Sequence, residues 1–256
     1  MNFLKRLSFI RLHIQKIGLI NTCKYFTKRV FVKENTLLRI KIKDWQYPIY
    51  LRNKTSDINI FYQIFIAEEL NFYKSSRPSL NRIIDLGANI GLSSIFFLSR
   101  FNSVEVVCIE PEDSNFDILN KNLGFLNNVK LLKNGIHSNR ATLFIIDPGK
   151  GKDAYYLSEI DSVDKINSID CITINDIMEL MNWNEVDLIK MDIEGAEKDV
   201  ILNTQIKSWS QITKILALEI HDFKVRNTHE EIINKLSTEF QNKSNSGEYT
   251  LFYNLR

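Results

Sequence analysis

The sequence predicts an α/β protein with a parallel sheet covered on both faces, and three observations point to it. Short, continuous apolar runs recur at residues 82–86, 104–109, 129–132, 186–191 and 215–220. Segments with helical apolar spacing lie between or after them, at 92–100, 112–123, 174–181, 196–202 and 230–240. Strands that are apolar throughout, rather than alternating, are buried on both sides, as in a parallel sheet between helical layers. Glycines and ionisable residues also gather just after these runs, where the carboxyl ends of strands hold ligands in such sheets.

The bulk properties agree. The 256 residues, 44% hydrophobic and 25% charged with 9 Gly and 4 Pro, exclude a collagenous, low-complexity or wholly disordered chain. The three cysteines, Cys23, Cys108 and Cys171, are far apart and form no CxxC pair, which argues against a disulfide framework and for a reducing compartment. No apolar stretch approaches the ~18 residues of a bilayer span. Arg11 interrupts the first apolar run and no small-residue cleavage site follows, so the expected location is cytoplasmic. The net charge of +2 conceals an asymmetry. Residues 1–54 hold 13 Lys and Arg against Glu34 and Asp44, a charge of +11, and the remainder carries −9. A basic arm of this kind suits an anionic partner or its own acidic body.

In chain order, Phe3, Leu4, Leu7, Ile10, Ile14 and Ile17 fall at helical spacing with Lys5, Arg6, His13 and Lys16 among them. This is a basic amphipathic helix ending near Gly18. Two settings suit it: packing on the body or a partner subunit, and lying on an anionic membrane, which would place the protein at the inner membrane surface. Runs 37–42 and 47–51 form a hairpin across 43–46. Thr55, Ser56 or Asp57 then caps a helix through about Leu70. The polar, proline-broken stretch 75–79 divides a basic extension, 1–74, from a domain over 75–256. In that domain the strands and helices above alternate, with Ala141–Ile146 as an edge strand and Tyr249–Tyr253 as the last strand.

The first strand of the domain runs into Asp85-Leu86-Gly87-Ala88-Asn89-Ile90-Gly91. The glycines allow tight turning and close approach of a ligand. The spacing is not the dinucleotide fingerprint, and Asp85 stands where a pyrophosphate would be repelled. About 20 residues on, Glu110-Pro111 ends the second strand with a carboxylate suited to ribose hydroxyls. A nucleoside site without a phosphate cradle fits S-adenosylmethionine. Lys190, Asp192 and Glu194 alternate at the end of a central strand, and period two puts them on one side if the strand persists. His221 ends the next strand, where a pKa near ~6.5 would suit proton removal. A structural Lys–carboxylate pair and a core histidine are the alternatives. Asp192, Glu194 and Asp222 could also gather Mg²⁺, with the metal left open.

The sequence resembles the FkbM family of S-adenosylmethionine-dependent methyltransferases over roughly 75–225. The likeness rests on residues 84–91, on Glu110-Pro111 with Asn115-Phe116, on 187–197 (Asp-Leu-Ile-Lys-Met-Asp-Ile-Glu-Gly-Ala-Glu), and on Leu218-Glu219-Ile220-His221. A weaker match covers 52–65, with Thr55-Ser56-Asp57. The resemblance implies a Rossmann-like class I methyltransferase, with a mostly parallel seven-stranded sheet and an antiparallel last strand. It implies that Asp85, Gly87, Ala88, Asn89 and Gly91 line the methionine part of the cofactor, that Glu110 and Pro111 hold the ribose, and that Asn134-Gly135 lie near the adenine. It further implies methyl transfer to a hydroxyl of a glycan or other natural product. Asp192, His221, Lys190 and Glu194 are the catalytic candidates. N-methylation and a non-catalytic binding module are the alternatives. A nucleic-acid partner is not expected, because no RNA- or DNA-binding module is recognisable.

Overall fold

The computed structural model describes residues 3–72, 79–160, 164–221 and 228–254, with side chains from residue 9 onward. Both the boundary at 75–79, except for Ser79, and Asp222 lie outside the described residues. The chain opens with two helices, α1 (Phe3–Ile17) and α2 (Leu19–Phe31), broken at Gly18, whose φ is +81°. The first was expected; the second was not. An antiparallel hairpin follows, β1 (Leu37–Ile40) with β2 (Ile49–Arg52), in the expected place. The helix after it is shorter than expected. It runs as α3 (Asp57–Phe61), widens into a π-helical segment (Tyr62–Ala67), and stops where Glu68 turns left-handed at φ +56°.

The main sheet has seven strands. Five are parallel: β3 (Arg82–Leu86), β4 (Glu105–Ile109), β5 (Val129–Leu132), β10 (Val186–Met191) and β11 (Thr213–Leu218). The hairpin β12 (Asn242–Ser246) and β13 (Tyr249–Tyr253) completes it, in the order β12-β13-β11-β10-β3-β4-β5. Strand β13 is antiparallel to both β11 and β12, so it alone runs against the other six. The sheet is therefore mostly parallel rather than wholly so. The polar strand β12 had not been foreseen. One expectation is corrected: β7 (Ala141–Ile146) is not an edge of this sheet. It joins a second, four-stranded sheet with β6 (Gly135–Ile136), β8 (Tyr156–Ser158) and β9 (Lys165–Ile172).

Helices α4 (Leu92–Leu98), α5 (Asp113–Leu123), α6 (Ile174–Met181), α7 (Glu197–Leu202), α8 (Lys207–Ser210) and α9 (Thr228–Glu239) flank the main sheet. Two apolar clusters result. One joins Ile83, Val106 and Phe96 to Ile17, Tyr25, Leu51 and Phe61, so the N-terminal extension shares a core with the sheet. The other joins Ile84, Val107 and Leu216 to Ile177, Val200 and Leu236. Consecutive residues of β3, Ile83 and Ile84, thus serve opposite clusters, as the two-residue period of a strand buried on both faces requires. The chain winds from β3 towards β5 on one side and from β10 towards β11 on the other. The change of direction falls between β3 and β10, where such sheets open a crevice at their carboxyl ends.

Candidate active site

A cavity of about 380 Å³ occupies that crevice. Its floor comes from the segments just beyond the parallel strands: Gly87 to Ile90 after β3, Glu110 and Pro111 after β4, Asn134 after β5, Asp192 to Glu194 after β10, and Glu219 after β11. Its walls come from Asn59 of α3 and Gln63 of the π-helical segment, from Asp153, Tyr155 and Leu157, and from Glu248 and Tyr249 where β13 begins.

The turn after β3 is held by backbone contacts. Gly87 and Ala88 donate their N–H groups to the Ile109 carbonyl at 3.1 and 2.9 Å. Gly87 has φ +74°, and a Cβ there would stand 1.8 Å from the Asp192 carbonyl oxygen, so only glycine fits. Asn89, at φ +50°, donates its N–H to Glu110 Oε2 at 2.9 Å. Glu110 Oε1 accepts from the Glu112 N–H at 3.1 Å and from Asn115 Nδ2 at 3.3 Å. Asn115 Oδ1 in turn accepts from Arg52 at 2.7 Å, and Arg52 is paired with buried Asp57 at 2.8 Å. The carboxylate facing the cavity is therefore aimed by a chain of contacts that begins in the extension. Burial, only partly offset by these donors, raises the Glu110 pKa to about 7.

Across the cavity lies a row of charges. Lys190 is 3% exposed; its Nζ donates to the Gly87 carbonyl at 2.9 Å and lies 3.1 Å from Asp192 and 3.4 Å from Asp85. Burial opposes its charge, but the Asp192 and Asp85 carboxylates outweigh that and hold its pKa well above the ordinary value. His221 Nδ1 lies 2.9 Å from Glu197 Oε1, while Nε2 faces Glu219, Glu194 and Asp192 at 3.5, 3.6 and 3.8 Å. Burial would lower its pKa; hydrogen bonds to Glu197 and Glu219 and the surrounding negative charge raise it to about 11. His221 is thus an imidazolium at neutral pH, not the imidazole near ~6.5 that proton removal needs. Burial, reinforced by Asp192 and Glu197, raises Glu194 to about 8 despite His221.

Lys190, Asp192 and Glu194 do not alternate along one strand. β10 ends at Met191, and Glu194 turns left-handed at φ +51°. Asp192 and Glu194 converge through this turn instead. Buried Glu197 stitches the turn by accepting from the N–H groups of Ile193 at 3.2 Å and Gly195 at 2.9 Å.

Most expected residues meet here, but four do not line the cavity. Asp85 is wholly buried beneath it, accepting from Ser94 Oγ at 2.7 Å. Gly91 caps α4, and its missing side chain makes room for Leu119 and Leu123. Gly135 sits in the second sheet against Cys171 and Leu157. His221 stands behind the carboxylates. Sequence reasoning missed Glu197, Glu219, Asp153, Tyr155 and the Glu248-Tyr249 pair; the first two sit inside the motifs already quoted. Asp192, Glu219 and His221 each place a potential ligand atom within 4.8 Å of one another, a set that could hold a divalent ion only with His221 deprotonated.

A doubly wound sheet with β13 reversed, a glycine turn after β3 and a buried carboxylate after β4 is the Rossmann-like arrangement of methyltransferases. The comparisons agree: the Methyltransferase FkbM domain profile matches residues 85–245, and the chain belongs to that family. Methyltransferase sdnD of Sordaria araneosa is 25% identical over 171 residues, covering 54% of this chain and 66% of its own. The 2-O-methyltransferase NoeI of Sinorhizobium fredii is 25% identical over 187 residues, covering 67% of this chain and 73% of its own. Among solved structures, fibrillarin of Aeropyrum pernix, crystallised with bound S-adenosyl-L-methionine, aligns at 9% identity with a TM-score of 0.47 over 89% of this chain and 86% of that one.

Proposed function

We propose that the protein transfers a methyl group from S-adenosylmethionine to a hydroxyl of a glycan or natural product. The observation that carries this reading is the cavity at the switch point, with Glu110 on one side and Asp192, Glu194 and Glu219 on the other. The residues fit the cofactor. Glu110 keeps one lone pair for a ribose hydroxyl, since its Oε1 already accepts two protein donors and its Oε2 only one. The acidic lining matches a sulfonium and an ammonium, and no phosphate cradle lines the cavity among the described residues. Gly87, Ala88 and Asn89 would lie along the methionine part and Asn134 near the base. S-adenosylmethionine supplies an electrophilic methyl when bound.

The chain supplies the rest. The interlocked turns after β3 and β10 fix the two halves of the site against each other, and positioning is the main source of rate. Asp192, held by Lys190, accepts the hydroxyl proton on a carboxylate oxygen. His221 stays protonated and keeps the Asp192 and Glu219 carboxylates from repelling one another out of place. Calorimetry tests the cofactor: S-adenosylmethionine and S-adenosylhomocysteine should bind and NAD should not, and tighter NAD binding would overturn the reading.

One observation favours a second reading. Lys190 is the only cation lining the cavity among the described residues, while Glu69, Asp153 and Glu248 add negative charge at its walls. Those walls suit an amine, and so N-methylation. Mass spectrometry of products from matched hydroxyl and amine acceptors separates the two.

A further inference from the structure

The basic helix α1, suited to packing on the body or to lying on a membrane, packs on the body. On α1, His13 and Ile17 are buried, and Lys16 pairs with Glu68 at 2.8 Å. The second helix is different. Its inward side buries Tyr25 and Thr22. Its outward side leaves Leu19 61%, Ile20 70%, Val30 69% and Phe31 84% exposed. At about 100° per residue, Leu19, Val30, Cys23, Thr27, Ile20 and Phe31 fall within an arc of roughly 120°, so α2 turns its apolar stripe to solvent. Exposed Lys24 and Lys28 border one flank of that arc.

We propose that this face of α2 lies on an anionic lipid bilayer, with Leu19, Ile20, Val30 and Phe31 inserted at the headgroup boundary. The charge pattern selects this occupant. Helix α2 contains Lys24, Lys28 and Arg29 and no acidic residue. A second copy packed on the stripe by two-fold symmetry would bring the lysine flanks together with no carboxylate on either helix to pair them. A bilayer instead offers apolar depth to the stripe and phosphates to the flank, where lysines reach outward along their own stems. The +11 charge of residues 1–54 draws the same surface towards anionic lipid.

The test uses the full chain with phosphatidylcholine vesicles, alone or mixed with phosphatidylglycerol. The protein should co-sediment with the mixed vesicles at low salt, much less at high salt, and not with phosphatidylcholine alone. The Lys24→Glu/Lys28→Glu and Ile20→Ser/Phe31→Ser double variants should each reduce co-sedimentation roughly tenfold or more. Both should keep the melting temperature and S-adenosylhomocysteine affinity of the parent, because these side chains are exposed. Cys23 is the exposed thiol, while Cys108 and Cys171 are buried. An environment-sensitive dye on Cys23 should therefore shift to the blue on mixed vesicles only. Co-sedimentation unchanged in either variant overturns the proposal, as does no binding by the parent chain. A two-copy mass in solution that Ile20→Ser/Phe31→Ser abolishes also overturns it, and makes this face a subunit interface.

Discussion

At the scale of single residues, Glu110 and His221 carry opposite pH signatures. The raised pKa of Glu110, about 7 against an ordinary 4.5, means the folded protein prefers this carboxyl protonated. Its ionisation therefore costs stability progressively as pH rises from about 4.5 to about 7. The ionised form is also the one able to accept from a ribose hydroxyl at Oε2 while its protein donors stay in place. S-adenosylhomocysteine affinity should then rise up to about tenfold per pH unit until about pH 7 and level off above it. Calorimetry across that range should show the dependence vanish in Glu110→Gln, and an unchanged profile would remove Glu110 from the site. His221 runs the other way. Its pKa is raised to about 11 from 6.5. The stabilisation it supplies is complete below about pH 6.5 and fades as pH rises towards 11. If its charge matters and not its basicity, His221→Lys should keep far more turnover than His221→Gln. Asp192→Asn should lower kcat by about 10²-fold or more with little change in cofactor affinity. Turnover near the parent's in Asp192→Asn would leave positioning alone to account for rate.

At the scale of elements, the two glycines of the first turn should separate. A Cβ at Gly87 meets backbone at 1.8 Å, whereas at Gly91 it meets the side-chain ends of Leu119 and Leu123 at 2.7 and 2.9 Å. Gly91→Ala should cost about 1–3 kcal/mol in urea unfolding, from left-handed strain and repacking, and still bind cofactor. Gly87→Ala should lose cofactor binding altogether. The sequence made such turns legible because runs like Ile83-Ile84 and Val106-Val107 can be nothing but buried strands, and the chemistry clusters just beyond them. It hid the elements whose partners, not their composition, define them. Strand β12 is Asn-Lys-Ser-Asn-Ser and exists only because β13 offers it a ladder. Apolar β7 looks like a main-sheet edge until polar β9 claims it. Helix α2 escaped because apolar stripes are expected to face inward. In the site, Glu197, Glu219 and His221 all lay in recognised motifs, but that His221 Nδ1 meets Glu197 is visible only in the fold.

At the scale of the whole molecule, one apolar cluster runs from α1 and α2 through the hairpin into the main sheet. Extension and sheet should unfold together, in a single urea transition. Ile17→Ala should shift that transition by about 2–4 kcal/mol without creating a second one. A separate early transition would show the extension to be an independent unit. Lys16 and Arg100 both lie 2.8 Å from Glu68. Burial opposes ionisation of Glu68, yet these two cations bring its pKa to about 2. That clasp is present above about pH 4.5 and is lost as pH falls towards 2, so the shared urea transition should move to lower urea over that range. The interlock of Gly87 with Asp192 has a different consequence, for how the protein can change over generations. At the strand ends the Gly87 turn packs directly on the Asp192 backbone, so a side chain at 87 would displace the turn that carries Asp192. The opposite wall comes from Asp153, Tyr155 and Leu157 near the second sheet and from Glu248 at a hairpin turn. New acceptors should therefore be won there. In a saturation library selected for altered acceptor range, the winners should fall at 153, 155, 157 and 248, while 87, 110 and 192 stay as they are.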